Sequence, residues 1–190
     1  NYDVYGQYVD FNGNLISGSS GVVIANGSGD QESSSLAYNQ SHDKVFVCYE
    51  SSDGSETDLH CNEISISTQI VSGTIVISQN FYDQINPFVY WSGHSFMIVW
   101  EDSRNSATLN SGVDIYFQEY NNETFNFPSG GVAITTFTHK QESPIISQYT
   151  ESDDLYLILW EDYRSTGKEF CANLYGQSFT SPSPPAPGDM

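Results

Sequence analysis

A chain of 190 residues can bury a sizeable core in one domain without the disulfides that a mini-protein of roughly 40 residues needs. Its 5 Lys plus Arg stand against 24 Asp plus Glu, a formal net charge of −19, which repels phosphate backbones and anionic headgroups and argues against nucleic acid or bare membrane as partners. No apolar run approaches the roughly 20 residues of a membrane-crossing helix, and no basic-then-apolar leader precedes Asn1. With no initial Met the chain reads as processed or excerpted, and 28 Ser, 11 Thr and 14 Asn beside 3 Lys point to an extracellular or cell-surface setting.

The first predicted strand, residues 2–9, carries Asp3-Val4-Tyr5-Gly6-Gln7. This phrase returns as Asp58-Leu59-His60-Cys61-Asn62, Asp114-Ile115-Tyr116-Phe117-Gln118 and Asn173-Leu174-Tyr175-Gly176-Gln177, at steps of 55, 56 and 59 residues. A fixed period of this size is a structural repeat. After the turn signal Asn12-Gly13 comes a glycine-led strand, residues 21–25, which recurs at 73–77 and 131–135. A run opening on Ser or Pro follows at 33–38, 87–91 and 144–149, where a first-position Pro costs no ladder bond. Next is an almost wholly apolar run at 45–49, 96–100 and 155–160, the mark of a strand buried on both faces. Ser92-Gly93, Asp53-Gly54 and Asp153-Asp154 fall at predicted joints, and no segment sustains a capped 3.6-residue period. The fold class predicted is all-β: about three four-stranded antiparallel blade-like repeats, incomplete within one chain, with almost no helix.

The phrases Trp100-Glu101-Asp102-Ser103-Arg104 and Trp160-Glu161-Asp162-Tyr163-Arg164, the D[IL]YxQ run at residues 114–118, and Gln84 or Gln141 ahead of a Pro-led strand resemble the repeat of secreted bacterial β-propeller-like proteins. The likeness runs nearly the whole chain up to Phe179 and implies a fold more than a function. The first copy departs from it, with Tyr49-Glu50-Ser51-Ser52-Asp53 in place of Trp-Glu-Asp-x-Arg. Named A to D within a blade, the strands run C, D, then A to D twice, then A, B, C. Three blades do not close a ring, so the expectation is either that the N-terminal pair completes the last blade or that a terminal strand passes to a neighbour.

Chemistry-bearing motifs are sparse. There is no nucleophile elbow, zinc-protease helix, CxxC pair or phosphate loop. His42, His60, His94 and His139 fall one per segment and read as surface histidines. Glu101, Asp102, Glu161 and Asp162 are the natural candidates for a glycosidase pair, but they recur at one repeat position, and a catalytic pair is usually unique. The two arginines, Arg104 and Arg164, are expected to pair with Asp102 and Asp162, or with the Asp that opens the next strand, Asp114 in the first case. The cofactor expectation is none; Asp53, Glu56 and Asp58 form a weak calcium candidate. Cys48 and Cys61 either face each other as a cross-strand disulfide or stay as buried thiols, leaving Cys171 as a free thiol or intermolecular link. Asn26, Asn39 and Asn122 begin glycosylation sequons.

Three units are expected: residues 1–10 as a strand for donation, 11–180 as the repeat domain and 181–190 as a Pro/Ser-rich tail. The first functional expectation is a non-enzymatic subunit of an extracellular fibril, a homopolymer resembling donor-strand-complemented pili in its assembly logic. Its donated strand would carry Tyr2, Val4, Tyr5, Gln7, Tyr8 and Val9. The alternative is a glycan- or protein-binding propeller module of a larger secreted protein.

Overall fold

The computed structural model describes residues 1–109, 112–150, 155–164 and 172–180. The fold is all-β, built of antiparallel sheets that repeat one blade pattern, with a four-residue helical turn, α1 (Ser106–Leu109), before the third strand of one sheet. The first sheet pairs β1 (Val4–Gly6) with β2 (Val22–Ala25). The second runs β3 (Asp30–Asn39), β4 (Lys44–Ser52), β5 (Thr57–Ser65), β6 (Ile75–Ser78). In the third, β7 (Gln84–Trp91), β8 (Phe96–Asp102) and β9 (Asp114–Asn121) are followed by a two-residue extension β10 (Thr124–Phe125) and by β11 (Val132–Thr135), both paired to β9. The fourth is β12 (Gln141–Thr150), β13 (Leu155–Asp162), β14 (Asn173–Thr180).

Alternation on β4 and on β8 feeds two cores at once, because successive side chains point to opposite faces. Phe46 and Cys48 of β4 meet Phe96, Ile98 and Trp100 of β8 in one buried cluster, where Phe46 stacks on Phe96 with ring centroids 4.7 Å apart. Val47 and Tyr49, the other face of β4, join Val4, Ile24 and Ala25 of the first sheet. Met97 and Val99, the other face of β8, meet Tyr156, Ile158 and Trp160 of β13. The apolar runs of β4 and β8 thus each serve as the shared wall of two inter-sheet cores, so their lack of a polar alternation follows directly, whereas Leu155, Leu157 and Leu159 on the second face of β13 are half-buried.

Two expectations need correction, and one element is additional. The N-terminal pair does not complete the last blade: β1 hydrogen-bonds to β2, and the two pack against the β4 face. The first strand of each full repeat starts about three residues ahead of its Ser or Pro, at Asp30, Gln84 and Gln141, because a register break separates its two halves and the proline sits just past that bulge. The hairpin to β10 was not visible because Asn122 and Glu123 hold its left-handed turn (φ 46° and 64°) without a glycine.

Candidate functional site

The Trp-Glu-Asp-x-Arg phrase folds into a corner at the end of β8 and again at the end of β13. Trp100 Nε1 donates to Asp102 Oδ2 at 2.9 Å, the Arg104 backbone N–H and Nε donate to Oδ1 at 3.0 and 2.8 Å, and the guanidinium also reaches the Gly130 carbonyl at 2.7 Å. In the second copy Trp160 Nε1 and Arg164 Nε each donate to Asp162 Oδ2 at 2.9 Å. The guanidinium of Arg164 lies 3.6 Å from the Phe137 ring centroid and 4.3 Å from that of Tyr175. Both aspartates are fully buried, so their charge is tolerated only because Arg and Trp occupy their lone pairs. Burial pushes the Asp162 carboxyl up, but the bonds from Arg164 and Trp160 outweigh it and hold the group below its usual range. Asp114 accepts from Asn105 Nδ2 at 2.8 Å. These corners are locked, and nothing in them faces a ligand.

A second repeated feature does face a cleft. Ser33, Asn86 and Ser143 occupy equivalent bulges in β3, β7 and β12, each in the left-handed region (φ 49°, 52° and 54°). The first strands of successive sheets lie side by side, with the Val89 N–H donating to Ser35 Oγ at 3.1 Å. The three bulges therefore converge on one groove of about 470 Å³, lined by Ser33, Ser34, Asn86, Pro87, Ser143 and Pro144, with Phe88 and Ile145 at its sides. The repeat glutamates do not line this groove but bond its Asn86 and Ser143, and so tie sheet to sheet. Glu50 accepts the Asn86 backbone N–H at 2.8 Å, and Glu101 accepts the Ser143 backbone N–H at 2.8 Å and Asn86 Nδ2 at 2.9 Å. Burial raises the Glu101 carboxyl above its usual range, against the lowering effect of those two bonds. Glu161, the third copy, is exposed. Asn86 thus joins two carboxyl groups to a groove of hydroxyl, amide and ring surfaces. The only trace of this in the sequence was the recurring Gln-x-[Ser/Asn] ahead of each Pro-led or Ser-led run.

The other expected residues lie elsewhere. The supposed donor strand is engaged in its own chain: the Gln31 N–H donates to the Tyr2 carbonyl, the Ile16 N–H to the Tyr8 carbonyl, Gln7 Nε2 to the Gly18 carbonyl, and Val9 bridges Leu15. Val4 is buried while Tyr5 is exposed. Cys48 and Cys61 face each other across β4 and β5 and are joined as a disulfide. Cys171, Asp153, Asp154 and the tail 181–190 lie outside the described residues. Asn26 and Asn122 are exposed. Asn39, by contrast, is 5% exposed, and its side-chain oxygen accepts the His42 N–H. Asp53, Glu56 and Asp58, the calcium candidates, line one pocket of about 290 Å³, where Asp53 Oδ1 accepts from Ser55 and Asp58 from Gln79; among the described residues no group of three or more His, Cys, Asp or Glu is arranged to hold a metal. His60 is half-buried against the edge of Tyr49, and burial lowers its affinity for a proton.

No family model matches the chain, and no curated protein matches it. Among solved structures, it is similar to the GH93 alpha-L-arabinofuranosidase of Fusarium graminearum in complex with arabinobiose, with a TM-score of 0.54 and 14% identity over 73% of this chain and 42% of that one. The E242A mutant of the same organism's alpha-L-arabinofuranosidase, bound to an iminosugar inhibitor, gives a TM-score of 0.54 at 13% identity and the same coverage. The chain therefore spans less than half the length of the structures it matches. The likeness extends to the fold, and it overturns the expectation of a non-enzymatic protein, since the matched chains are enzymes. The exclusion had rested on carboxylates that recur. A repeat can place chemically different copies at one position, as buried Glu101 and exposed Glu161 show.

Proposed function

We propose that this chain is part of a carbohydrate-directed β-propeller and that the groove of the three bulges seats a neutral sugar unit of arabinofuranosyl type. The observation that carries this is the meeting of Ser33, Asn86 and Ser143 in one open groove, with Phe88 beside them and Glu101 bonded to Asn86 and Ser143. Hydroxyl and amide groups bond a sugar's hydroxyls, ring faces cover its apolar side, and the absence of lysine or arginine from the lining disfavours an anionic ligand. The arabinobiose in the matched complex supports the choice of pentose. Glu101, which accepts Asn86 Nδ2, has the raised proton affinity that suits a general acid, and Glu50, which accepts the backbone N–H of the same residue, is the second carboxylate.

The test is calorimetric titration of the full chain with arabinobiose and cellobiose, beside release of p-nitrophenol from its α-L-arabinofuranoside. Saturable heat with arabinobiose alone, lost in Asn86→Ala, supports the site, and nitrophenol release that falls in Glu101→Gln assigns the acid. Absence of binding to either disaccharide, with the chain shown to be folded, overturns the reading.

A further inference from the structure

The groove repeats itself along its length, and the repetition sets the size of what it holds. Ser33, Asn86 and Ser143 each sit in the register break of their strand with nearly the same positive φ (49°, 52° and 54°). Glycine is the unstrained choice in that region of backbone space, and strain of this kind collects where a side chain is put to use. All three bulges nevertheless carry a polar side chain.

Those side chains have bonding capacity left over. Ser33 and Ser143 are exposed, and among the described residues neither hydroxyl bonds to a protein group; Ser143 uses only its backbone N–H, on Glu101. Asn86, between them, uses its N–H on Glu50 and its Nδ2 on Glu101, which leaves Oδ1 as an acceptor on a residue that lines the groove. Apolar surface follows the last two bulges, as Pro87-Phe88 and Pro144-Ile145. A pair of polar groups with ring or aliphatic surface beside it therefore occurs twice, once on each side of Asn86. The volume agrees: about 470 Å³ lies in the range of clefts that bury a drug-sized ligand and exceeds what a single pentose fills.

We infer that the groove holds two consecutive units of a neutral linear oligosaccharide, one between Asn86 and Ser143 and the next between Ser33 and Asn86. This rests on the carbohydrate reading above and adds the length of chain that is recognised. The two places differ in kind. The first lies on the two residues that Glu101 holds, whereas the second has the Ser33 hydroxyl and Asn86 Oδ1 and contributes affinity alone. Ser33 is thus a binding residue for the second unit, and Ser143 for the first.

The test is calorimetric titration of the full chain with methyl α-L-arabinofuranoside, which offers one unit, and with arabinobiose, which offers two, in the parent and in Ser33→Gly and Ser143→Gly. Glycine suits the left-handed backbone at both positions, so both variants are expected to unfold near the parent's urea midpoint. In the parent, arabinobiose is expected to bind about tenfold more tightly than the methyl glycoside, or better. Ser33→Gly is expected to remove most of that advantage and to leave the affinity for the methyl glycoside at the parent's value, whereas Ser143→Gly weakens both ligands. Equal affinity of the parent for the two ligands overturns the inference and leaves the one-unit reading standing. A Ser33→Gly chain that keeps the full advantage of arabinobiose overturns it as well. If neither ligand binds the folded parent, the carbohydrate reading falls and this inference with it.

Discussion

The carboxylate of Glu101 accepts the backbone N–H of Ser143, 42 residues ahead and one sheet over, at 2.8 Å. Glu50 does the same for Asn86. In both cases the donor is the bulge residue of the next sheet, whose N–H is released from its own ladder by the register break. An amide released from its ladder needs another acceptor, and the repeat supplies one from the preceding sheet. The same contact that locks two sheets together therefore also positions Asn86 and Ser143 in the lining of the groove.

Glu101→Ala removes two hydrogen bonds accepted by a buried carboxylate, from the Ser143 N–H and from Asn86 Nδ2. The expected cost is about 2–3 kcal/mol. Glu161→Ala, at the exposed copy, is expected to stay within about 0.5 kcal/mol. Urea unfolding of both variants checks the contrast, and equal losses would mean that the sheet-to-sheet bond is not what Glu101 contributes.

Much of the fold could be read from the chain because its strongest signals are local. The apolar run from Phe96 to Trp100 is a strand whatever surrounds it, and the step between copies of Asp-x-Tyr-x-Gln gave the blade length directly. The site was less legible because its parts meet across sequence distance. The Glu50 to Asn86 and Glu101 to Ser143 bonds span 36 and 42 residues, and no local pattern announces them. The burial of Asn39 was hidden for a related reason: a sequon is a local motif, whereas its burial depends on how its own turn folds back onto His42. The bulges themselves could have been suspected from Asn86-Pro87 and Ser143-Pro144, since proline inside a paired strand needs an interruption in the ladder.

The Cys48–Cys61 disulfide closes a short loop, with a sequence separation of 13, at the heart of the core between the second and third sheets. Restricting the unfolded chain over a loop of this length is worth about 3 kcal/mol in the chain-entropy account. The double variant Cys48→Val/Cys61→Ala keeps the site apolar and is expected to lose about that much, seen as a lower urea midpoint with a slope equal to or slightly above the parent's, since the freed unfolded chain exposes more surface. If the variant unfolds at the same midpoint as the parent, the cross-link contributes nothing beyond packing.

The groove reading separates from the structural one at Asn86. Its backbone N–H serves Glu50 whatever side chain it carries, so Asn86→Ala keeps that bond and removes only the amide that reaches Glu101 and lines the groove. Sugar binding is expected to weaken about tenfold, the equivalent of about 1.4 kcal/mol, with a smaller change in unfolding free energy. A stability loss larger than the affinity loss would mark Asn86 as a strut of the sheet contact.

The two buried carboxyls give pH dependences of opposite sign. Glu101 holds its proton more tightly in the folded chain than in the unfolded one, chiefly through burial, so the folded state binds more protons just above the usual glutamate range. Stability therefore falls as pH rises through that window, and Glu101→Gln is expected to remove that decline. For Asp162, burial is outweighed by the bonds from Arg164 and Trp160, and the folded carboxyl ionises below its usual value. Its contribution is fully present above the ordinary aspartate range and is lost as pH falls through the folded value. Asp162→Asn is expected to flatten the acid limb and, by leaving the Arg164 guanidinium between Phe137 and Tyr175 without its counter-ion, to cost about 3 kcal/mol at neutral pH. Urea midpoints measured from pH 3 to pH 7 for the parent and both variants check the two slopes separately. An acid limb that persists in Asp162→Asn would place its origin in other carboxylates.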